Sequence, residues 1–103
     1  MQLKTDADTF DEHQKLLIRE IIEQIRFKLA AAGYRGDKIK DLVCDIAFSV
    51  ASTIDDTAKI ESEGTEVRPY LTFRDEDDQL IHCGENSYMH EYVSSLIDEV
   101  FSN

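Results

Sequence analysis

Residues 27–42 read FKLAAAGYRGDKIKDL, two apolar-periodic segments parted by a pair of glycines. Gly33 or Gly36 supplies the left-handed residue that ends a helix, and Asp37 follows as the N-cap of the next. The tight Tyr34-Arg35-Gly36 link implies an antiparallel pair, so an αα-hairpin is predicted.

Upstream, Thr9-Phe10-Asp11-Glu12 reads as a capping box, with residues 1–8 left as a flexible tail. Phe10, Leu17, Ile18, Ile21, Ile22, Ile25, Leu29 and Ala32 then fall within about 120° of the helical wheel, an amphipathic face. Leu16, Phe27 and Tyr34 lie on the opposite side, in line with Glu20 and Glu23. They are either scattered surface apolars, which need no explanation, or a self-association or partner-docking face. Downstream, the second helix is predicted to run to about Ala58. Ile39, Leu42, Val43, Ile46, Ala47, Val50 and Ile54 form its main stripe. Cys44, Phe48 and Ala51 form a minor one nearly opposite. Burial against the rest of the chain is one fate for Phe48. The other is an exposed anchor within an acidic strip, because Asp41, Asp45 and Asp55 flank it and only Lys38 and Lys40 answer them.

The remainder reads as a polar loop, a hairpin and a last helix. Lys59–Glu66 is the loop, and Val67–Arg74 alternates at period 2 like a strand. Asp75-Glu76-Asp77-Asp78 is a turn of four carboxylates, and Gln79–Cys83 returns. Pro69 cannot donate to a ladder and marks an edge. An even-length turn sets Phe73 opposite Leu80 and Leu71 opposite His82. A bulged turn brings Ile81 and Cys83 inward instead, and the sequence leaves both open. Asn86 or Ser87 is the expected cap of a third helix reaching Phe101, with Met89, Tyr92, Val93, Leu96, Ile97 and Val100 as its stripe. The order ααββα is an α+β fold in one domain over residues 1–103, helices on one face of a small antiparallel sheet.

Charge is distributed unevenly. Residues 1–36 carry six basic and six acidic side chains, whereas residues 37–103 carry five against sixteen, so the net −11 sits on the last two-thirds. Such a field repels nucleic acid and anionic membrane and attracts basic protein. MQLKTDADTF has no apolar h-region and reads as no signal peptide, and no segment is apolar enough to span a bilayer. Cys44 and Cys83 form no motif, which suits a reducing cytoplasm.

Chemistry is weakly signalled. His82, Cys83, His90 and Glu91 lie around a strand end and a helix start, but Cys-x6-His is not a zinc spacing. His90 borders an apolar stripe, where a backbone carbonyl is its expected partner. A calcium loop counted from Asp75 fails at Leu80 and Asn86. No metal or cofactor is expected. The reading is a cytoplasmic, non-catalytic protein-binding module whose partner is a basic protein surface, an inhibitor or immunity-type protein being one version. Its binding residues would be Asp41, Asp45, Phe48, Asp55, Asp75, Asp77 and Asp78, with a weak homodimer through Leu16, Phe27 and Tyr34. The rival is a small thiol- or metal-dependent enzyme centred on His82, Cys83 and His90.

Overall fold

The computed structural model describes residues 2–102. Strand β1 (Leu3–Thr5) runs directly into helix α1 (Ala7–Ala31), capped by Asp6, whose carboxylate accepts the Thr9 N–H at 3.2 Å. The helix therefore starts three residues before the expected Thr9 box. The reason is that the Asp6 N–H bonds His82 O at 3.0 Å, which holds Asp6 extended and outside the helix. At the other end Gly33 takes φ 102°, and the Tyr34 and Gly33 amides bond Leu29 O and Ala30 O, both at 3.1 Å. This is a Schellman stop, so Gly33 is the terminator. Gly36 precedes α2 (Asp37–Ile54), which makes Asp37 its first residue rather than its cap.

Helix α2 stops at Ile54, short of the expected Ala58. Asp56 takes φ 62°, with Thr57 N bonded to Ser52 O and Asp56 N to Thr53 O. That is a second Schellman stop, built on an Asp that tolerates the left-handed region without being glycine. The hairpin packs Ile18 and Ile22 against Ile39, Val43, Ala47 and Ala51. Ala51 of the minor stripe is fully buried, the fate expected of a central second helix, while Ile46 of the expected main stripe is 38% exposed. The shift arises because α2 is covered by α1 on one side and by the C-terminal helix on the other.

The sequence predicts a loop over Lys59–Glu66, but a hairpin forms, β2 (Ile60–Ser62) against β3 (Thr65–Val67). Its two-residue turn has Glu63 at φ 50° and Gly64 at φ 82°, both left-handed as a type I′ turn requires. The predicted strand Val67–Arg74 is broken at Pro69, leaving only β4 (Phe73–Arg74) to pair with β5 (Leu80–His82). Five residues separate the strands, and Phe73 lies opposite Ile81. The bulged-turn parity is therefore the one adopted, with Ile81 fully buried and Phe73 edge-on to Phe10 at 5.2 Å. The N-terminal tail is also built in, since β1 pairs in parallel with β5, Lys4 beside Ile81.

A 3₁₀ turn (Met89–Tyr92) leads into α3 (Val93–Phe101), which packs on both helices of the hairpin. Neither Asn86 nor Ser87 caps it. Met89, Val93, Leu96 and Ile97 are buried as expected. The α+β reading holds, with a helical layer beside a small mixed sheet. Among the described residues no helix is long and apolar enough to cross a membrane.

Ile81→Ala removes a fully enclosed side chain and should cost about 2–4 kcal/mol in urea unfolding. Val67→Ala, on the exposed hairpin, should cost less than about 0.5 kcal/mol. Equal costs would contradict the register.

Candidate functional site

Asp55 ends α2 with its side chain enclosed, the residue being only 2% exposed. Its Oδ1 accepts the Ser87 hydroxyl at 2.5 Å, and its Oδ2 accepts the His90 backbone N–H at 2.8 Å. The same Oδ2 lies 2.6 Å from His90 Nδ1, and Asn86 Nδ2 donates to Asp55 main-chain O at 3.3 Å. Asp55 is therefore not part of an exposed acidic strip, as its place on the helical wheel implied. Residues 86 and 87 were expected to cap the last helix, yet they turn back onto this residue. His90, expected on a backbone carbonyl, instead has a carboxylate, which places its proton on Nδ1.

A second clamp comes from α1. Gln14 sits fully buried within the apolar face, donating to Asp11 at 3.0 Å and accepting the Tyr88 N–H at 3.0 Å. Asp11 also takes the Tyr92 hydroxyl at 2.5 Å and the Lys15 ammonium at 3.3 Å. Burial alone would raise the Asp11 carboxyl, but bonds from Tyr92, Gln14 and Lys15 prevail and hold it below the ordinary range. Burial and then the Asp11 carboxylate push the Tyr92 phenol well up. Nothing in the apolar periodicity marked Gln14. A polar residue at a core position of an otherwise apolar stripe was the available signal.

With His90 fixed, its ring meets Phe48 edge-on at 6.0 Å and 89°. The two border an open, mainly apolar groove of about 350 Å³ between α2 and α3, lined also by Cys44, Ser49, Val93 and Ser94. Phe48 is 50% exposed, so it is not buried against the rest of the chain as one reading expects; one side meets His90 and the other faces solvent. Asp45 lines the groove as well, and Asp41 on α2 and Asp98 on α3 are exposed near its Cys44 side. Lys40 is spoken for by Asp98 at 3.2 Å. The Cys44 thiol registers the local field. Burial raises its pKa first, and Asp45, Asp41 and Asp98 raise it further against a smaller opposing effect of Lys40. A thiol kept protonated in this way is a poor nucleophile.

The other expected residues lie elsewhere. The Asp75–Asp78 turn sits with Asp6, Thr9 and His13 at the N-terminal end of α1, the opposite end of the hairpin from Asp41. Asp75 accepts the Asp77 and Gln79 N–H groups at 2.9 and 2.8 Å and pairs with Lys4 at 3.1 Å. Arg74 engages Asp78 at 3.2 Å, while Glu76 and Asp77 are exposed. His82 takes the Tyr70 hydroxyl (2.6 Å) and the Gly84 N–H (3.3 Å) on Nδ1, with Thr5 Oγ1 3.2 Å from Nε2. Cys83 Sγ turns to Glu85 O at 3.2 Å. His82, Cys83 and His90 thus each engage different partners. Among the described residues no group of three His, Cys, Asp or Glu side chains could hold a metal ion. Leu16, Phe27 and Tyr34 are exposed together along α1 and its C-terminal stop.

Comparison with protein-family models, with curated proteins and with solved structures finds no match to this chain.

Asp55→Ala strands three donors around an emptied site and should cost about 3–5 kcal/mol in chemical unfolding. A cost under about 1 kcal/mol would show that the clamp is dispensable. Asp75 offers a pH test. The Gln79 amide bond, chiefly, and the Lys4 and Asp77 contacts hold its carboxyl below the ordinary 3.8. Because the folded value is lowered, its stabilisation is complete above that ordinary value and disappears as pH falls through the folded one. The stability difference between wild type and Asp75→Asn should therefore be flat near neutrality and shrink in acid. A difference that grows on acidification would reverse the sign.

Proposed function

We propose that this protein is a non-catalytic binding module that receives a basic protein on the groove between α2 and α3. The observation that carries the reading is Phe48, half exposed in a largely apolar groove that Asp45 also lines, with Asp41 and Asp98 acting on the Cys44 side of it. An aromatic anchor beside an apolar recess supplies affinity, and the carboxylates supply register and fast encounter. The wider field agrees, because the net −11 attracts cationic surfaces over a Debye length and repels nucleic acid.

An inhibitor or immunity-type role toward a basic toxin or nuclease is one concrete form of this function. Such pairs rely on opposed charge and rapid association. Asp75, Asp77 and Asp78 then act at a distance, through the general field, rather than as contacts in the groove. The thiol- or metal-based alternative draws no support from the placement of His82, Cys83 and His90, whose polar atoms are engaged separately. Cys44 and Cys83 are both free thiols, in keeping with a reducing compartment.

Affinity capture from extract of the source cells, followed by titration of the purified partner, tests the reading. Phe48→Ala should weaken the complex by about 2 kcal/mol, roughly thirtyfold. Asp41→Lys with Asp45→Lys should chiefly slow association. Raising salt from about 50 to about 300 mM should weaken binding severalfold through screening. Affinity indifferent both to salt and to these substitutions would place the partner elsewhere and reduce the acidic face to a solubility device.

A further inference from the structure

Opposite the core-facing side of α1 runs a ridge that the basic-partner reading does not use. Leu16 and Phe27 are 65% and 68% exposed, and Tyr34 beyond the helix is 42% exposed. Phe27 stands on the rim of an open groove of about 470 Å³ between the second half of α1 and the end of α3. Ala30 and Val100 give that groove apolar lining, and Arg26 forms part of its wall. Arg26 is fixed in place, donating to Val100 O at 2.8 Å and lying 4.2 Å above the Phe101 ring. A projecting aromatic beside a preformed recess on one surface is self-complementary, which is what an isologous twofold contact requires. We infer that this face joins two copies of the chain, each Phe27 entering the groove of the other.

Charge selects a second copy as the occupant. The chain carries −11, but residues 1–36 balance six bases against six acids. In the groove itself Arg19 and Arg26 stand against Glu23 and Glu99. Arg19 already bridges Glu23 at 3.7 Å and Glu99 at 2.8 Å, and Arg35 reaches Ala30 O at 2.8 Å. Two like-charged chains therefore meet least repulsion here, whereas contact through α2 or the Asp75–Asp78 turn would stack carboxylates. Area sets the strength. The exposed ridge from Leu16 to Tyr34 is about 27 Å long, and a strip about 12 Å wide covers roughly 320 Å² per copy. The total of about 650 Å² falls short of the ~1,200–2,000 Å² of stable complexes, so the dimer is weak and concentration-dependent. The α2–α3 groove plays no part in this contact, so the dimer stands or falls independently of the partner proposed there.

Sedimentation equilibrium of the full chain tests it. The mass should rise with concentration from 11.8 kDa toward twice that value. Phe27→Glu removes the knob and Ala30→Arg fills the hole, and each should move the dimerisation midpoint at least about tenfold higher. Phe27→Leu should retain the dimer, and circular dichroism checks that every variant is folded. Added salt should strengthen dimerisation by screening the repulsion between two acidic chains, opposite in sign to its effect on a basic partner. A monomer at the highest concentration overturns the inference. So does a dimer that survives Phe27→Glu or Ala30→Arg, or one that weakens with salt.

Discussion

Asp55 sits where α2 ends, and its carboxylate receives the Ser87 hydroxyl, the His90 main-chain N–H and the His90 ring. Removing a carboxylate from water costs several kcal/mol unless donors saturate its oxygens, so the chain from Ser87 to His90 has little freedom once α2 has formed. That connection brings Met89 and Val93 down onto the hairpin and sets the direction in which α3 departs. It also holds the His90 ring against Phe48, which gives the groove one wall. Core, helix placement and candidate site thus share one polar anchor.

The clamp on α1 complements it. Helix α3 has nine residues and no side-chain cap, too short to persist alone in water. Its entry is secured on one side by Asp55 and on the other by Gln14 bonding the Tyr88 amide and Asp11 bonding the Tyr92 hydroxyl. Packing of Leu96 and Ile97 onto the hairpin then provides the apolar part. Directional bonds choose the orientation, and burial supplies most of the stabilisation.

Electrostatics divides the molecule between two surfaces. Around α2 and α3 the exposed carboxylates Asp41, Asp45 and Asp98 have Lys40 paired with Asp98 alone, whereas on the outer face of α1 Arg19 bridges both Glu23 and Glu99. Each surface also presents an exposed phenylalanine to solvent, Phe48 on the acidic face and Phe27, with Tyr34 further along, on the balanced one. Apolar contact supplies affinity without specifying a partner, and charge supplies the discrimination. Under the two proposals the same ring type serves unlike partners on the two faces.

Local interactions made the helices legible. The apolar periods of α1, α2 and α3, the stop at Gly33 and the exposure of Leu16, Phe27 and Tyr34 follow from neighbours a turn apart, which sequence spacing records directly. Shorter signals misled in proportion to their ambiguity. Asp56 ended α2 without a glycine, and Glu63-Gly64 made a hairpin turn inside what read as a polar loop. The long-range choices were not written in any spacing. Thr5 meets His82 across 77 residues, and Asp55 takes its donors from 32 and 35 residues away. The wheel could place Asp55 beside Asp41 and Asp45, but it could not show that another segment would bury it. Sequence by itself determined the helices, the apolar stripes and the charge imbalance, because each depends on residue type and nearby spacing. Only the tertiary structure decided the parallel β1–β5 pairing, the inward turn of Ile81 and the burial of Asp55, because each depends on which distant segment offers the complementary hydrogen bonds and apolar surface.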